Sequence, residues 1–153
     1  MMAVTHIIFA VFLSLIFTRD PSFLAVAAVS SLIPDIDDSR SFIGKIFILS
    51  RIVHGIAGHR TITHSFLFAL LVSLITLPLA GIKISLAVFL GMASHCFADA
   101  LGNSGAALFY PFRKQKIKLG SIDTGSAEEA AFGSLCIAGI LALLFVKGIL
   151  RGL

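Results

Sequence analysis

Charge is scarce in this 153-residue chain. Asp, Glu, Lys and Arg make up 13% of it, about half the roughly 25% of ordinary soluble domains. So few charges cannot cover a surface that faces water on all sides. That argues against a soluble globular protein, a disordered chain, a collagen-like repeat and a coiled coil. Cysteine is equally sparse. The only two, Cys96 and Cys136, both lie inside apolar runs and read as small buried hydrophobes, not as a disulfide or a metal pair. What is abundant is apolar: 58% hydrophobic residues, with a mean hydropathy of +1.02. An integral membrane protein of one domain, 1–153, is the reading that remains.

The net charge is +4 at pH 7. In a soluble protein that balance would suggest nucleic acid. Here the basic residues are spread through short polar gaps between apolar runs, so they are expected to orient the chain and meet anionic headgroups. No nucleic-acid partner is expected.

Five apolar runs are present. The first spans 2–18; no basic segment precedes it and no small-residue cleavage site follows, so it reads as a retained helix. A turn at Arg19-Asp20-Pro21 leads to the second run, 22–33, which Pro34 ends. Twelve helical residues reach only about 18 Å, short of the ~30 Å hydrocarbon core. The third run is 62–80, the fourth 84–101 and the fifth 127–150. Between the second and third, residues 41–56 mix Ile, Phe and Leu with Lys45, Arg51 and His54, as an interfacial amphipathic helix does. The expected architecture is all-α: a multi-pass membrane bundle of four to five membrane helices plus one interfacial helix.

If the first two runs form a hairpin, the polar segments 35–60 and 102–125 fall on one side of the membrane. Arg40, Lys45, Arg51, Arg60, Arg113, Lys114, Lys116 and Lys118 lie there, against Arg19, Lys83, Lys147 and Arg151 on the other. Eight of twelve basic residues favour the first side as cytoplasmic.

The same topology gathers nearly every residue able to ligate a metal; of the five histidines only His54 lies outside the set. His6 opens the first run; Asp35, Asp37 and Asp38 follow the second; His59 and His64 precede or open the third; His95 and Asp99 close the fourth; Glu128 and Glu129 open the fifth. All fall at one end of the bundle. His95 and Asp99 are four apart and share a helix face. Asp35 and Asp37 would point to one side of an extended segment, with Asp38 pointing away. His59 and His64 are about 140° apart on a helix, so they converge only if His59 sits in the entry loop and Thr61 or Thr63 caps the helix. Carboxylates at membrane depth are costly and call for partners, about 2.5–3.5 kcal/mol for an Asp at a helix centre. One or two divalent ions answer that need. A nitrogen and oxygen donor set without thiolate suits zinc first, manganese or iron next.

Ile33-Pro34-Asp35-Ile36-Asp37, His59-Arg60 through Thr63-His64-Ser65, and Ser94-His95 with Asp99 together resemble the YdjM-like family of inner-membrane proteins. Gly105 and Tyr110-Pro111-Phe112 follow at about the family's spacing. The resemblance implies a membrane-bound, metal-dependent hydrolase whose ligands are His6, Asp35, Asp37, His59, His64, His95 and Asp99. The family often has a threonine three residues after the last aspartate, where this chain has Gly102. The His-x-x-x-Asp element also looks like that of zinc-dependent phospholipase C enzymes, which favours phosphoester chemistry.

The expected function is hydrolysis of a phosphate ester of a lipid at the cytoplasmic surface of the inner membrane. Asp37 or Asp99 would bridge metals or accept a proton, and Arg60 would hold a phosphate in bidentate fashion. Two rivals differ in class. One is a non-catalytic anchor with a structural metal that recruits a protein partner. The other is a small ion or proton transporter, which needs polar residues continuing to the far end of the bundle.

Overall fold

The computed structural model describes residues 1–37 and 62–152. The described residues are helical, with no β-strand among them. Helix α1, Ala3–Phe17, and helix α2, Pro21–Ser30, follow the first two apolar runs. The turn between them works as its sequence dictates. Asp20 accepts hydrogen bonds from the N–H groups of Ser22 (2.8 Å) and Phe23 (3.1 Å), and Pro21 opens α2 where a missing N–H costs nothing. Lys83 reaches Asp20 at 2.9 Å from a distant part of the chain. Together these donors hold the exposed Asp20 carboxyl well below the usual carboxylate range.

After α2 the chain tightens into a 3-10 turn, Ile33–Asp37. The extended segment expected at 35–37 is therefore corrected. With three residues per turn, the alternation that paired Asp35 with Asp37 does not apply. The next helix starts later than expected, at Phe66, and its cap is Ser65, not a threonine: Ser65 Oγ accepts from the Phe68 N–H at 3.1 Å. His64 thus sits in the turn before the helix.

Helix α3, Phe66–Leu101, holds the third and fourth runs in one 36-residue element. Its path is helical except at Gly81, whose φ of 78° lies in the left-handed region that glycine adopts without strain. There the chain doubles back. Residues twelve apart on a straight helix are about 18 Å apart, yet Ser73 Oγ donates to the carbonyl of Ser85 at 2.8 Å. Ala69 of the first arm packs with Val88 and Met92 of the second. Helix α4, Ala127–Gly152, follows an irregular loop.

Helix α1 is the centre of the arrangement, touching α2, α3 and α4. The closest approach is between α2 and the second arm of α3, where a Cβ on Gly91 would lie 2.3 Å from the Ala27 carbonyl oxygen. Small residues line the contacts, as in membrane bundles. Large ones face outward: Leu79 is 82% exposed and Phe145 70%. In each of the two long apolar windows only 11% is buried, unlike the core helix of a soluble protein.

Among the described residues, two helical segments, Phe66–Leu101 and Ala127–Val146, have the length and apolarity to cross a membrane. That is fewer than the four to five expected. The physical reason is length. At 15 and 10 residues, α1 and α2 reach about 22 and 15 Å, and the third and fourth runs share one element. The expected interfacial helix at 41–56, with Asp38, His54, His59 and Arg60, lies outside the described residues.

Candidate metal centre

Five of the seven sequence-derived ligands converge at one end of the bundle. The start of α1 supplies His6, the 3-10 turn Asp35, the turn before α3 His64, and the end of α3 His95 and Asp99. All are withdrawn from solvent: His64 and His95 are 0% exposed, His6 1%, Asp99 3% and Asp35 9%. The side chain of Asp37 lies outside the described residues, as do His59 and Arg60.

The distances form a closed ring. His64 Nε2 is 3.6 Å from Asp35 Oδ1 and 3.3 Å from Asp99 Oδ2. His95 Nε2 is 3.5 Å from Asp35 Oδ1 and 3.6 Å from Asp99 Oδ2. His6 Nε2 approaches the other oxygen of the same carboxylate, Asp99 Oδ1, at 3.5 Å, and its ring stacks on His95 with centroids 3.7 Å apart. The amino group of Met1 is 3.2 Å from Asp99 Oδ1.

Two side-chain contacts orient the rings. His95 Nδ1 lies 2.6 Å from the carbonyl oxygen of Ser31. A carbonyl only accepts, so Nδ1 carries the proton, and a neutral His95 has its lone pair on Nε2. Thr63 Oγ1 meets His64 Nδ1 at 2.9 Å, which leaves Nε2 of that ring facing the carboxylates.

This arrangement fits a cation. A lone pair aimed at carboxylate oxygens is repulsive unless something positive lies between them. Most of the separations exceed the 2.7–3.2 Å of a good hydrogen bond to oxygen. They match the edge of a tetrahedron with metal–ligand bonds of about 2.1 Å, which is about 3.4 Å. His95 Nε2 and Asp99 Oδ2 have no hydrogen-bond partner among the described residues, and neither ring nitrogen of His6 has one. Two three-residue groups meet the spacing of a metal site, His6 with His95 and Asp99, and Asp35 with His64 and His95. They share His95, which offers Nε2 alone, so an ion held by either group takes that nitrogen. The donors are nitrogen and oxygen only. Cys96 and Cys136 are free and buried in separate apolar clusters.

Glu128 and Glu129 take no part in this donor set. Glu128 is exposed. Buried Glu129 accepts from the N–H groups of Met2 (2.5 Å) and Gly125 (2.7 Å), tying the start of α1 to the start of α4. Sequence reasoning also missed the Ser31 carbonyl, because a backbone acceptor leaves no signal in residue identity. Beside Asp99 lies a polar cavity of about 50 Å³, lined by Asn103, Ser104, Asp123 and Thr124 among others. An apolar cavity of about 570 Å³, lined by Phe17, Phe23, Ile82 and Leu86 among others, lies at the opposite end by the Asp20–Lys83 pair.

Comparison with known proteins bears on the whole chain. It is 45% identical over 95 residues to a Bacillus subtilis (strain 168) protein named Uncharacterized protein YvsG, which is 60% of this chain and 59% of the relative. It is 34% identical over 97 residues to the Escherichia coli (strain K12) inner membrane protein YdjM, which is 57% of this chain and 48% of that protein. The matched stretch thus spans about half of each relative's length. No solved structure matches. The model of the YdjM inner membrane protein family matches residues 1–150, so the chain belongs to that family.

Proposed function

We propose that this protein is a multi-pass, membrane-bound, metal-dependent hydrolase acting on a phosphate ester of a lipid at the cytoplasmic surface of the inner membrane. The observation that carries the reading is the ring of His64, Asp35, His95 and Asp99 donor atoms 3.3–3.6 Å apart. A divalent ion, zinc before manganese or iron, supplies Lewis-acid activation of water when bound. His95, fixed by Ser31, keeps its lone pair on the donor side. Asp99 presents one oxygen to His64 and His95 and the other to His6, and it lines the polar cavity beside the centre. Asp99 or Asp37 is proposed to take a proton. Arg60 is proposed to hold a substrate phosphate.

The substrate class follows from position. The loop after α3 carries exposed Arg113, Lys114, Lys116 and Lys118, which favour anionic groups. Counted as separate arms, the two halves of α3 with α1, α2 and α4 provide the helices of a multi-pass bundle. The test has two arms. Metal analysis of the purified protein should find a divalent ion in the parent and little in His95→Ala. Phosphate or headgroup release from mixed lipid vesicles should occur with the metal-loaded parent and fail with His95→Ala and Asp99→Asn. Equal release by all three would detach the activity from this centre.

A second reading has its own support. The donors are wholly or nearly withdrawn from solvent, as in closed structural sites, whereas catalytic zinc keeps an open position. On that reading the protein is a metal-stapled anchor for a protein partner. Cobalt substitution separates the two. A five-coordinate or exchangeable spectrum that responds to inorganic phosphate supports the enzyme; a phosphate-insensitive tetrahedral spectrum supports the anchor.

A further inference from the structure

The loop joining α3 to α4 presents a surface that takes no part in the donor cluster. Phe112 is 87% exposed, more than any other large apolar side chain among the described residues. Arg113, Lys114, Lys116 and Lys118 beside it are exposed as well. Arg113 bonds to Gln115, and Lys118 to Asn103. None of the four makes an ion pair with a described residue. A benzyl group and four positive charges, none ion-paired among the described residues, thus lie within one stretch, 112–118, that runs from the tip of the loop to its base.

That tip is held in place by the backbone beneath it. Ala106 and Ile117 exchange hydrogen bonds of 3.1 and 2.8 Å across the base of the loop. The Leu119 N–H donates to the Ala100 carbonyl at 2.7 Å, against the last turn of α3. A free loop would fold Phe112 onto the nearest apolar surface; this one projects it. Both ends of the loop join helices with the length and apolarity to cross a membrane, so a bilayer surface lies within reach and needs no further partner.

We propose that the 109–119 tip docks on an anionic membrane surface, with Phe112 inserted below the headgroups and the four basic side chains on lipid phosphates. Each part of the tip then meets its chemistry: aromatic rings settle at the interface, and each Lys or Arg near an anionic leaflet adds to the attraction. Asn103, Ser104, Asp123 and Thr124, near the two ends of the loop, line the cavity beside Asp99, so docking brings that cavity toward headgroup depth. The inference does not depend on hydrolysis and holds equally for the anchor reading.

The chain contains no tryptophan and one tyrosine, Tyr110, so Phe112→Trp, excited at the red edge where tyrosine does not absorb, creates a sole tryptophan reporter at an exposed position. The full chain is reconstituted in vesicles of phosphatidylcholine alone or mixed with phosphatidylglycerol. Both leaflets are alike, so insertion direction does not matter. The expected result is a blue-shifted emission in anionic vesicles, with quenching by lipids brominated near the glycerol end. In 1 M salt, where the screening length falls to about 3 Å, the anionic increment should shrink. It should also be lost when Arg113, Lys114, Lys116 and Lys118 are all replaced by Gln. Water-like emission with full acrylamide quenching, equal in neutral and anionic vesicles, would overturn the proposal. So would an unchanged response in the Gln variant, or protection of the tryptophan only on adding a soluble polyanion such as RNA.

Discussion

His95 Nδ1 donates to the Ser31 carbonyl at 2.6 Å, and that one bond joins the end of α2 to the second arm of α3 while fixing which nitrogen faces the carboxylates. The carbonyl is available because α2 stops at Ser30 and the following 3-10 turn leaves it outside a regular helix. The break in α2 therefore orients a proposed metal ligand as well as delivering Asp35.

Support of this kind should be measurable one residue away. Thr63 Oγ1 contacts His64 Nδ1, so Thr63→Val removes the partner while keeping the shape. Losing such a supporting bond lowers metal affinity about 10–100-fold. Competition with a zinc chelator checks this on the purified protein. An affinity equal to the parent's would remove Thr63 from the supporting structure.

Packing gives an independent expectation. Gly91→Ala places a methyl 2.3 Å from the Ala27 carbonyl oxygen, a backbone atom that cannot step aside without moving α2. Overpacking of this sort costs about 1–3 kcal/mol. Thermal unfolding in detergent should shift downward, and metal content should fall with it because α2 leads directly to Asp35.

Glu129 is expected to matter for stability and not for the chemistry itself. Glu129→Ala leaves the Met2 and Gly125 N–H groups without their carboxylate. Both bonds are partly buried, and losing one costs about 0.5–1.5 kcal/mol. Metal bound per folded molecule should stay at the parent value while the unfolding midpoint falls. A variant equally stable but unable to bind metal would make Glu129 a ligand.

The Asp20 turn carries a pH signature. Its carboxyl sits well below the ordinary value of about 3.9 in the folded chain, chiefly through Ser22 and Lys83. A lowered folded value contributes stability above that ordinary value, and the contribution is lost as pH falls toward the folded one. Asp20→Asn keeps the helix cap but not the charge, so the gap in unfolding midpoint between parent and variant should narrow below about pH 4. A gap constant across that range would exclude the charge as its source. The turn is solvent-exposed, so the effect is modest and should weaken in salt.

Much of this was legible in the residues because hydropathy and topology carry it. Apolar runs broken by Asp20-Pro21 and Pro34 marked α1 and α2, and following the chain through the bilayer put the histidines and aspartates at one end. The local geometry around Asp35 was not legible, since a proline four residues past the last residue of a helix suits an extended strand and a 3-10 turn alike. The cap at Ser65 was hidden among several Thr and Ser candidates. Glu129 looked like an ordinary acid in a first helical turn, and only its distances to Met2 and Gly125 reveal the clasp. The number of crossing helices was overread because a run's apolarity does not show how much of it is helical: α1 and α2 hold only 15 and 10 residues.

The bend at Gly81 acts as a ruler. Counting from Gly81, His64 lies 17 residues back and Asp99 lies 18 residues on. The two arms are thus nearly equal in length, and their tips meet with His64 Nε2 3.3 Å from Asp99 Oδ2. Adding or deleting one residue in either arm would slide its tip by about 1.5 Å and turn it by about 100°, carrying one donor away from the other. Outward-facing leucines and phenylalanines can be exchanged freely under such a constraint, but the count of residues between the turn and each tip cannot.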